Sequence, residues 1–588
     1  MFKNLKQLTD KKDKLNLLIL FFLLLFGTLI EMVGIGSIPI FAIAIVEPAK
    51  ILNNLPSFLN FNFILNINNK ELTLYIAVSM FLIFLFKNIY LGFVNFFSGM
   101  VIKRIRSNTY NNIFNSYLKC NYEFHISRNS ADLIRNITSE VSKSVSFIIS
   151  FILLIKEFLV VITIFTLLII IDFKISFLIF FLLGIFSLIF FFLSRRGTKL
   201  RGKLIQEYWA KQIKAISHGL GSIKQTKILN KEKFMFNIFK YNTEIIEKYN
   251  FIQGFIVTLP RLFLELMAIL VIVIVSVTFV LSERSFENFI PLIALITAAS
   301  VRLIPSFNTI SSSIATMRHY LPSFNLIANE LKKMRNVISQ TEKYLKVSST
   351  KNLLFKDSIN INNLTYYYPG TDKKIIDNVS LQINCKDIVG IVGSSGEGKS
   401  TLIDLIAGLL NPSSGNIFVD KVDINKTENN WQRQIGYVPQ DIYLLDDTIK
   451  ANIAFGESSH QFNNENYQNA IKLAQLDSFI NSLPNKDSTV VGDRGIRLSG
   501  GQRQRIGIAR SLYYKPNILI FDEPTSSLDI ENEKKIMNDL YNLSNNITII
   551  IISHRLSIFE KCKKIFEVKK GKVSQIEKLD YPDIHLNK

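Results

Sequence analysis

The sequence predicts an all-α transmembrane domain of six helices fused to an α/β P-loop domain. Runs of Leu, Ile, Phe and Val dominate roughly the first 310 residues. From about residue 345, polar and apolar residues alternate as in a water-soluble α/β domain. A strand-like run, Ile388 to Val392, then leads directly into a glycine-rich loop and a helical stretch from Leu402. With 588 residues, 48% of them hydrophobic, 47 Phe and a mean hydropathy of +0.25, the chain is too long for one domain and too apolar for an ordinary soluble protein.

A membrane-crossing helix needs about 20 apolar residues. Six candidates appear, at about 16–46, 71–101, 145–171, 175–194, 251–281 and 286–310. Several exceed the required length, which predicts helices that tilt or run on past the membrane. The linkers 103–144 and 195–250 are long, basic and compatible with helix, whereas the connections near 172–174 and 282–285 are short. The net charge of +21 sits mainly beside the apolar runs, in Lys11, Lys12 and Lys14, in Lys103, Arg104 and Arg106, and in Arg195, Arg196, Lys199 and Arg201. That placement follows the positive-inside rule and fits anionic headgroups, so it points to membrane lipid rather than nucleic acid. It puts the N-terminus, both long linkers and the C-terminal domain on the cytoplasmic side. The first apolar run is too long for a signal-peptide core and lacks a small-residue cleavage site, so it reads as a retained helix. Cys120, Cys385 and Cys562 are widely spaced, which supports neither a disulfide framework nor a zinc site.

Residues 47–70 connect the first two spans on the outer side. From Ile51 to Phe63 they alternate Leu, Phe and Ile with Asn, a pattern that fits either a short amphipathic helix on the membrane surface or a partly buried loop. Ionisable residues inside spans are costly and therefore informative; they are Glu31, Lys87, Lys156, Glu157, Arg261, Glu265 and Arg302. Lys156 and Glu157 are expected to pair or to face neighbouring helices. Lys87, Arg261 and Arg302 belong to three different spans and are all cationic. Converging on a cavity, they would suit a phosphate or pyrophosphate; the competing reading is that they snorkel or pair with Glu31 and Glu265.

The glycine-rich loop is Gly393, Ser394, Ser395, Gly396, Glu397, Gly398, Lys399, Ser400 and Thr401, in the strand–loop–helix setting of a P-loop. Its glycines let backbone N–H groups turn toward phosphates, and the helix N-terminus adds a field that favours an anion. Lys399 then neutralises β/γ-phosphate charge, and the Ser400 hydroxyl is placed for Mg2+. Downstream, the apolar run Ile518 to Phe521 ends in Asp522 and Glu523. At a buried strand end, Asp522 can hold Mg2+ directly or through water, and Glu523 can polarise the attacking water.

Leu498, Ser499, Gly500, Gly501 and Gln502 complete the set: Ser499 lies 100 residues after Lys399 and 24 before Glu523. In this order and spacing the three motifs resemble the ABC transporter superfamily. The resemblance implies an ATPase that uses ATP and Mg2+, and it implies further roles residue by residue. Tyr368, before Pro369, stands where an aromatic stacks on adenine, with Tyr366 and Tyr367 as close alternatives. Gln440 in Val438-Pro439-Gln440 resembles the Q-loop glutamine that senses Mg2+ and water. Ser527-Leu528-Asp529 resembles the D-loop, and His554 resembles the switch histidine on the γ-phosphate. In this family the signature residues Ser499 to Gln502 of one copy close over the P-loop of another. A homodimer with two hydrolytic sites is therefore implied, or a heterodimer where a partner chain exists.

Six spans ahead of a nucleotide domain resemble exporter half-transporters. The resemblance implies a transmembrane domain over 1–335, a linker over 336–355 and a nucleotide domain over 356–588, with coupling helices near Tyr122–Asp132 and Gly219–Lys227. Glu31-Met32-Val33-Gly34, Ile38-Pro39, Phe86-Lys87-Asn88 and the stretch from Gln440 to Ile449 are similar to the flippases for lipid-linked oligosaccharides of bacterial protein glycosylation. That likeness implies movement of a polyprenyl-pyrophosphate-linked glycan across the bacterial cytoplasmic membrane, with Lys87, Arg261 and Arg302 near the pyrophosphate. Multidrug, peptide and lipid A exporters are the alternatives within transport, and an ATP-gated channel is the more distant one.

Overall fold

The computed structural model describes residues 2–46, 48, 69–171, 173–281, 286–346, 355–424, 431–458, 460–523, 538, 541, 546–553 and 556–576. The chain divides into two compact units, one of Met1–Cys120 with Arg128–Val337, the other of Asn121–Ser127 with Ile338–Lys588.

The first unit is helical. A short helix α1 (Phe2–Leu8) precedes α2 (Lys11–Val46) and α3 (Asn69–Lys119). After α4 (Tyr122–Ile126), which belongs to the second unit, come α5 (Ser130–Arg135), a π-helical turn over Asn136–Glu140 and α6 (Val141–Ile171). Then follow α7 (Phe173–Gly221), α8 (Ile223–Ile228), α9 (Glu232–Leu281) and α10 (Phe286–Lys346). In hydrocarbon each backbone N–H and C=O needs an internal partner, and a continuous helix supplies one without a second strand. Five helices among the described residues are long and apolar enough to cross a membrane. They contain the predicted spans 16–46, 71–101, 145–171, 251–281 and 286–310; the sixth, 175–194, lies within α7 as helix.

Helix lengths explain the excess in the sequence. At 51 residues, α3 is roughly 77 Å long against an apolar membrane core of about 30 Å, so it runs on well past the lipid. The predicted basic linkers are therefore mostly helix: residues 103–119 extend α3, and 195–221 extend α7. α10 likewise continues to Lys346, so the linker expected at 336–355 starts as helix. Ile35 of α2, Val160 and Ile164 of α6, Leu264 of α9 and Ala299 of α10 are buried together, so these four helices share one apolar seam. The segment Ile51 to Phe63 lies outside the described residues.

The second unit is α/β. A six-stranded sheet has the order β10-β9-β3-β8-β7-β6, formed by β3 (Ile388–Val392), β6 (Ile435–Val438), β7 (Ile518–Asp522), β8 (Thr548–Ile552), β9 (Lys564–Lys569) and β10 (Lys572–Ile576). All its neighbours are parallel except β10 on β9. β3, β7 and β8 are buried along their whole length, which is why they read as unbroken apolar runs rather than as alternating strands. A second, antiparallel sheet of order β2-β1-β4-β5 comprises β1 (Ser358–Tyr366), β2 (Ile376–Asn384), β4 (Ser414–Val419) and β5 (Val422–Asp423). The apolar layer between the sheets includes Ile359, Ile361, Ile391, Ile520, Ile550 and Leu402, the last from α11 (Lys399–Ile406). The parallel arrangement brings the ends of β3 and β7 side by side around β8, where a ligand crevice forms at the carboxyl ends of such strands.

Candidate nucleotide site and membrane charge cluster

The loop after β3 turns so tightly that two of its positions exclude a side chain. Gly393 has φ 146° and Gly398 φ 106°, both in the left-handed region. A Cβ at Gly393 would sit 2.3 Å from the Val568 carbonyl oxygen, and one at Gly398 2.9 Å from that of Ile375. Gly398 caps α11, so Lys399 is the first residue of a helix whose N-terminus faces the loop. Lys399 is 7% exposed, and its Nζ donates to the carbonyls of Gly393 (2.8 Å) and Ser394 (2.9 Å). Burial lowers its pKa, while Glu523, Asp522 and Glu397 pull it back up. The Glu397 carboxylate accepts from the Lys570 backbone N–H and pins the loop tip to the turn after β9.

Two predicted metal residues meet across the crevice. The Ser400 hydroxyl hydrogen-bonds Asp522, at the buried end of β7. Burial pushes the Asp522 pKa up, and Glu523 adds to the rise; Ser400, Tyr437 and Lys399 oppose it. Tyr437 of β6 donates from Oη to Asp522 Oδ2 at 3.4 Å. Next to it, Gln440 Nε2 donates to Glu523 Oε2 at 2.8 Å. Two hydrogen-bonded pairs, Ser400 with Asp522 and Gln440 with Glu523, and the buried ammonium of Lys399, which feels both carboxylates, therefore form one charged group. Its donors and hard oxygen atoms suit a phosphate chain with Mg2+: Ser400, Asp522 and Gln440 would hold the ion, which offsets developing phosphate charge when bound. Glu523 has φ 51°, a strained conformation for a side-chain-bearing residue, and its backbone N–H is held by the Ile552 carbonyl at 3.0 Å.

The remaining predicted residues separate. Tyr366 is 1% exposed and fills the core, which removes it as a stacking surface; Tyr367 is 46% exposed. Tyr368 is part-buried, packs edge-on against Tyr366, and is tied through Oη to Thr401 Oγ1 at 3.1 Å. Ser499 caps α12 (Gly500–Tyr513): its Oγ accepts from Gln502 N at 3.2 Å, and Gln502 Oε1 accepts from Ser499 N at 2.9 Å. This capping box fixes Ser499, Gly500, Gly501 and Gln502 as a preformed helix start. His554 and Ser527-Leu528-Asp529 lie outside the described residues.

Sequence reasoning missed Tyr437 and Asp404. Asp404, in α11, has its pKa raised to about 6 by burial and then by Asp522. Tyr437 could have been suspected from its place three residues before Gln440, but nothing in its neighbourhood marks it as polar-site rather than core. α4 also belongs to this unit: the Glu123 carboxylate accepts from Tyr366 Oη at 3.5 Å and from Asn411 N at 3.4 Å.

In the membrane unit the charged residues of the spans pair mostly between helices. Glu157 does not pair with its neighbour Lys156; it meets Arg302, whose Nη1 lies 3.1 Å from Glu157 Oε2. Successive helix positions point about 100° apart, so adjacent residues face different neighbours. Arg302 also grips Glu31 with both faces of its fork, through Nε to Oε1 and through Nη2 to Oε2 at 3.2 Å. Ser306 donates to Glu157 Oε2 at 2.8 Å and accepts from Arg302 Nη1 at 3.0 Å. Lys87 borders this cluster electrostatically and rests over Phe84 at 4.3 Å. Arg261 is elsewhere, paired with Glu265 one turn away at 2.8 Å and 69% exposed. Of the three cations, then, Lys87 and Arg302 come together and Arg261 does not join them.

Residues 376–526 match the family model described as ABC transporter. They are an ABC transporter ATPase domain. A stretch of 209 residues, 35% of this chain, is 42% identical to the ABC transporter ATM1 of Toxoplasma gondii and covers 18% of that protein. Over 236 residues, 40% of the chain, identity to the leukotoxin translocation ATP-binding protein LktB of Mannheimia haemolytica is 40%, and 33% of LktB is covered. The alignments thus span a fifth to a third of these relatives. The solved structure of a bacterial Atm1-family ABC exporter with ATP bound is matched along 98% of this chain and 97% of that one, with a TM-score of 0.75 and 22% identity. The chain accordingly has the fold of an ABC exporter: a multi-pass helical membrane domain fused to the ATPase domain.

Proposed function

We propose that the chain is a half-transporter that works as a homodimer and couples ATP hydrolysis to the export or flipping of an anionic lipid-linked cargo across the bacterial cytoplasmic membrane. The observation that carries the ATP-driven part is the gathering of Lys399 with the hydrogen-bonded pairs Ser400–Asp522 and Gln440–Glu523 within an exporter fold. Lys399 and the P-loop amides bind and orient the phosphates, Glu523 takes a proton from the attacking water, and Gln440 keeps that carboxylate aimed. His554 supports the γ-phosphate, and Tyr368 supports the adenine. Because one chain carries one P-loop and one signature, Ser499 of a second copy completes each site. The helices α4 and α8 are the coupling helices in this reading, α4 through Glu123.

The cargo is a polyprenyl-pyrophosphate-linked glycan. Lys87 and Arg302, gathered in the membrane unit, are its anion contacts, and Arg261 is a separate exposed cation on α9. Multidrug, peptide and lipid A transport remain the competing cargoes. Reconstitution into liposomes, following leaflet exchange of a lipid-linked glycan with and without ATP, tests the proposal. ATP-dependent exchange supports it; stimulation of ATPase by hydrophobic drugs alone would replace the cargo class.

A further inference from the structure

Glu31, Arg302, Glu157 and Ser306 come from three helices, α2, α6 and α10, and engage all three nitrogens of the Arg302 guanidinium. Both carboxylates are nearly inaccessible, Glu31 at 6% and Glu157 at 7%. An arginine buried in a membrane domain without a counter-ion is strongly unfavourable, so some anion must occupy the fork at all times. Two carboxylates face one guanidinium, and Lys87 supplies the second cation. The Lys87 stem packs beside Gly34, its Cδ 3.4 Å from where a side chain there would begin, one turn along α2 from Glu31. Among the described residues Lys87 makes a cation–π contact with Phe84 and no ion pair.

We propose that Glu31 is an exchangeable counter-ion: the phosphate of the cargo displaces it from the Arg302 fork, Glu31 swings to Lys87, and this competition sets which anions the site accepts. The inference rests on the anionic-lipid reading above. Guanidinium forks bind carboxylate and phosphate through the same two parallel N–H groups, so the two anions compete for one position. Glu31 is tethered and forfeits no translational freedom, whereas a headgroup must be brought in. A phosphodiester headgroup offers only the single charge that Glu31 already supplies, and is refused. A pyrophosphate offers more charge to the same donors and wins. Glu157 does not exchange, because Ser306 holds it at 2.8 Å as well. Such a filter has a purpose in a leaflet rich in anionic phospholipid, where an unguarded arginine would be occupied by bulk lipid.

The test uses the full-length protein in nanodiscs of neutral lipid, titrated with undecaprenyl pyrophosphate or with dioleoylphosphatidylglycerol, and reads the ratio of stimulated to basal ATPase. Wild type is expected to respond to the pyrophosphate lipid and not to phosphatidylglycerol. Glu31→Gln is expected to respond to both, with half-maximal stimulation by the pyrophosphate at a concentration roughly 5-fold lower or more. Glu31→Asp, which keeps the charge, should retain the discrimination and guards against a merely unfolded amide variant. If wild type responds to the pyrophosphate and Glu31→Gln shows the same concentration dependence and the same refusal of phosphatidylglycerol, the counter-ion role is overturned while the cargo reading stands. A wild type indifferent to the pyrophosphate lipid overturns both.

Discussion

Gln440 Nε2 donates to Glu523 Oε2 at 2.8 Å, joining the end of the β6 segment to the end of β7. The parallel register that sets Val438 against Phe521 makes this possible, because it carries the residues following each strand to the same edge of the sheet. That hydrogen bond fixes the direction of the carboxylate. Glu523→Gln keeps the shape and a hydrogen-bonding partner but cannot accept a proton. ATPase turnover is expected to fall roughly 10²-fold or more while ATP binding persists. Steady-state phosphate release together with equilibrium nucleotide binding checks this, and retained turnover would show that another group acts as base.

Lys399 makes the opposite prediction. Its ammonium is buried and bonded to two loop carbonyls, so it braces the loop as well as facing the phosphates. Lys399→Met should therefore weaken ATP binding itself, raising the dissociation constant at least ~10-fold, consistent with loss of a charge-assisted contact. Isothermal titration with ATP and Mg2+ distinguishes this from the Glu523 variant, whose affinity should be preserved.

The nucleotide motifs were legible because each is contiguous, and the P-loop and the Asp522-Glu523 pair follow strands that burial on both faces makes obvious. The membrane cluster was not. Glu31 and Arg302 are 271 positions apart, and no periodicity within either helix reports on its partner across the bundle. Lys156 and Glu157 fit either a pair or two residues facing neighbouring helices; helical geometry turns them apart, and which residue Glu157 meets, Arg302, is not written in its own helix. Sequence sets Tyr368 ahead of Tyr366 and Tyr367 only by its place before Pro369. The alternation of β1 buries Tyr366, and the chain beyond the strand leaves Tyr368 at the Thr401 hydroxyl. Helix continuation past the membrane was readable as excess length and as linkers compatible with helix, but not where each helix ends, since basic residues suit a solvated helix and a loop alike.

Asp404 yields a pH dependence whose sign follows from its raised pKa, about 6 against an ordinary 3.8. Between those values the folded domain holds a proton that the unfolded chain releases, so stability falls as pH rises through this window. Asp404→Asn removes that loss. The variant should unfold at a higher temperature than wild type at pH 7.5, and the gap should close as pH falls toward 4. Trp431, buried and edge-on to Phe355 in the same unit, reports the transition when Trp209 is replaced by Phe. Measurements in EDTA keep Mg2+ from contributing through Asp522.

The two membrane arginines should differ sharply in what they do for stability. Removing Arg302 leaves Glu31 and Glu157 buried with no guanidinium between them, and Ser306 supplies only one hydroxyl to the pair. Losing one partner of a buried charge cluster typically costs about 3–5 kcal/mol, because the carboxylates stay desolvated. Arg261 pairs with Glu265 one turn away on the same helix, and among the described residues that pair ties α9 to no other helix. Arg302→Ala is therefore expected to lower the melting temperature of the detergent-purified protein markedly, and Arg261→Ala to leave it almost unchanged. The double variant Arg302→Ala/Glu31→Gln should recover part of the loss, since it removes one of the stranded charges. A melting temperature for Arg302→Ala equal to that of Arg261→Ala would mean that the two carboxylates find water or protons in the membrane unit and that the cluster does not hold its three helices together.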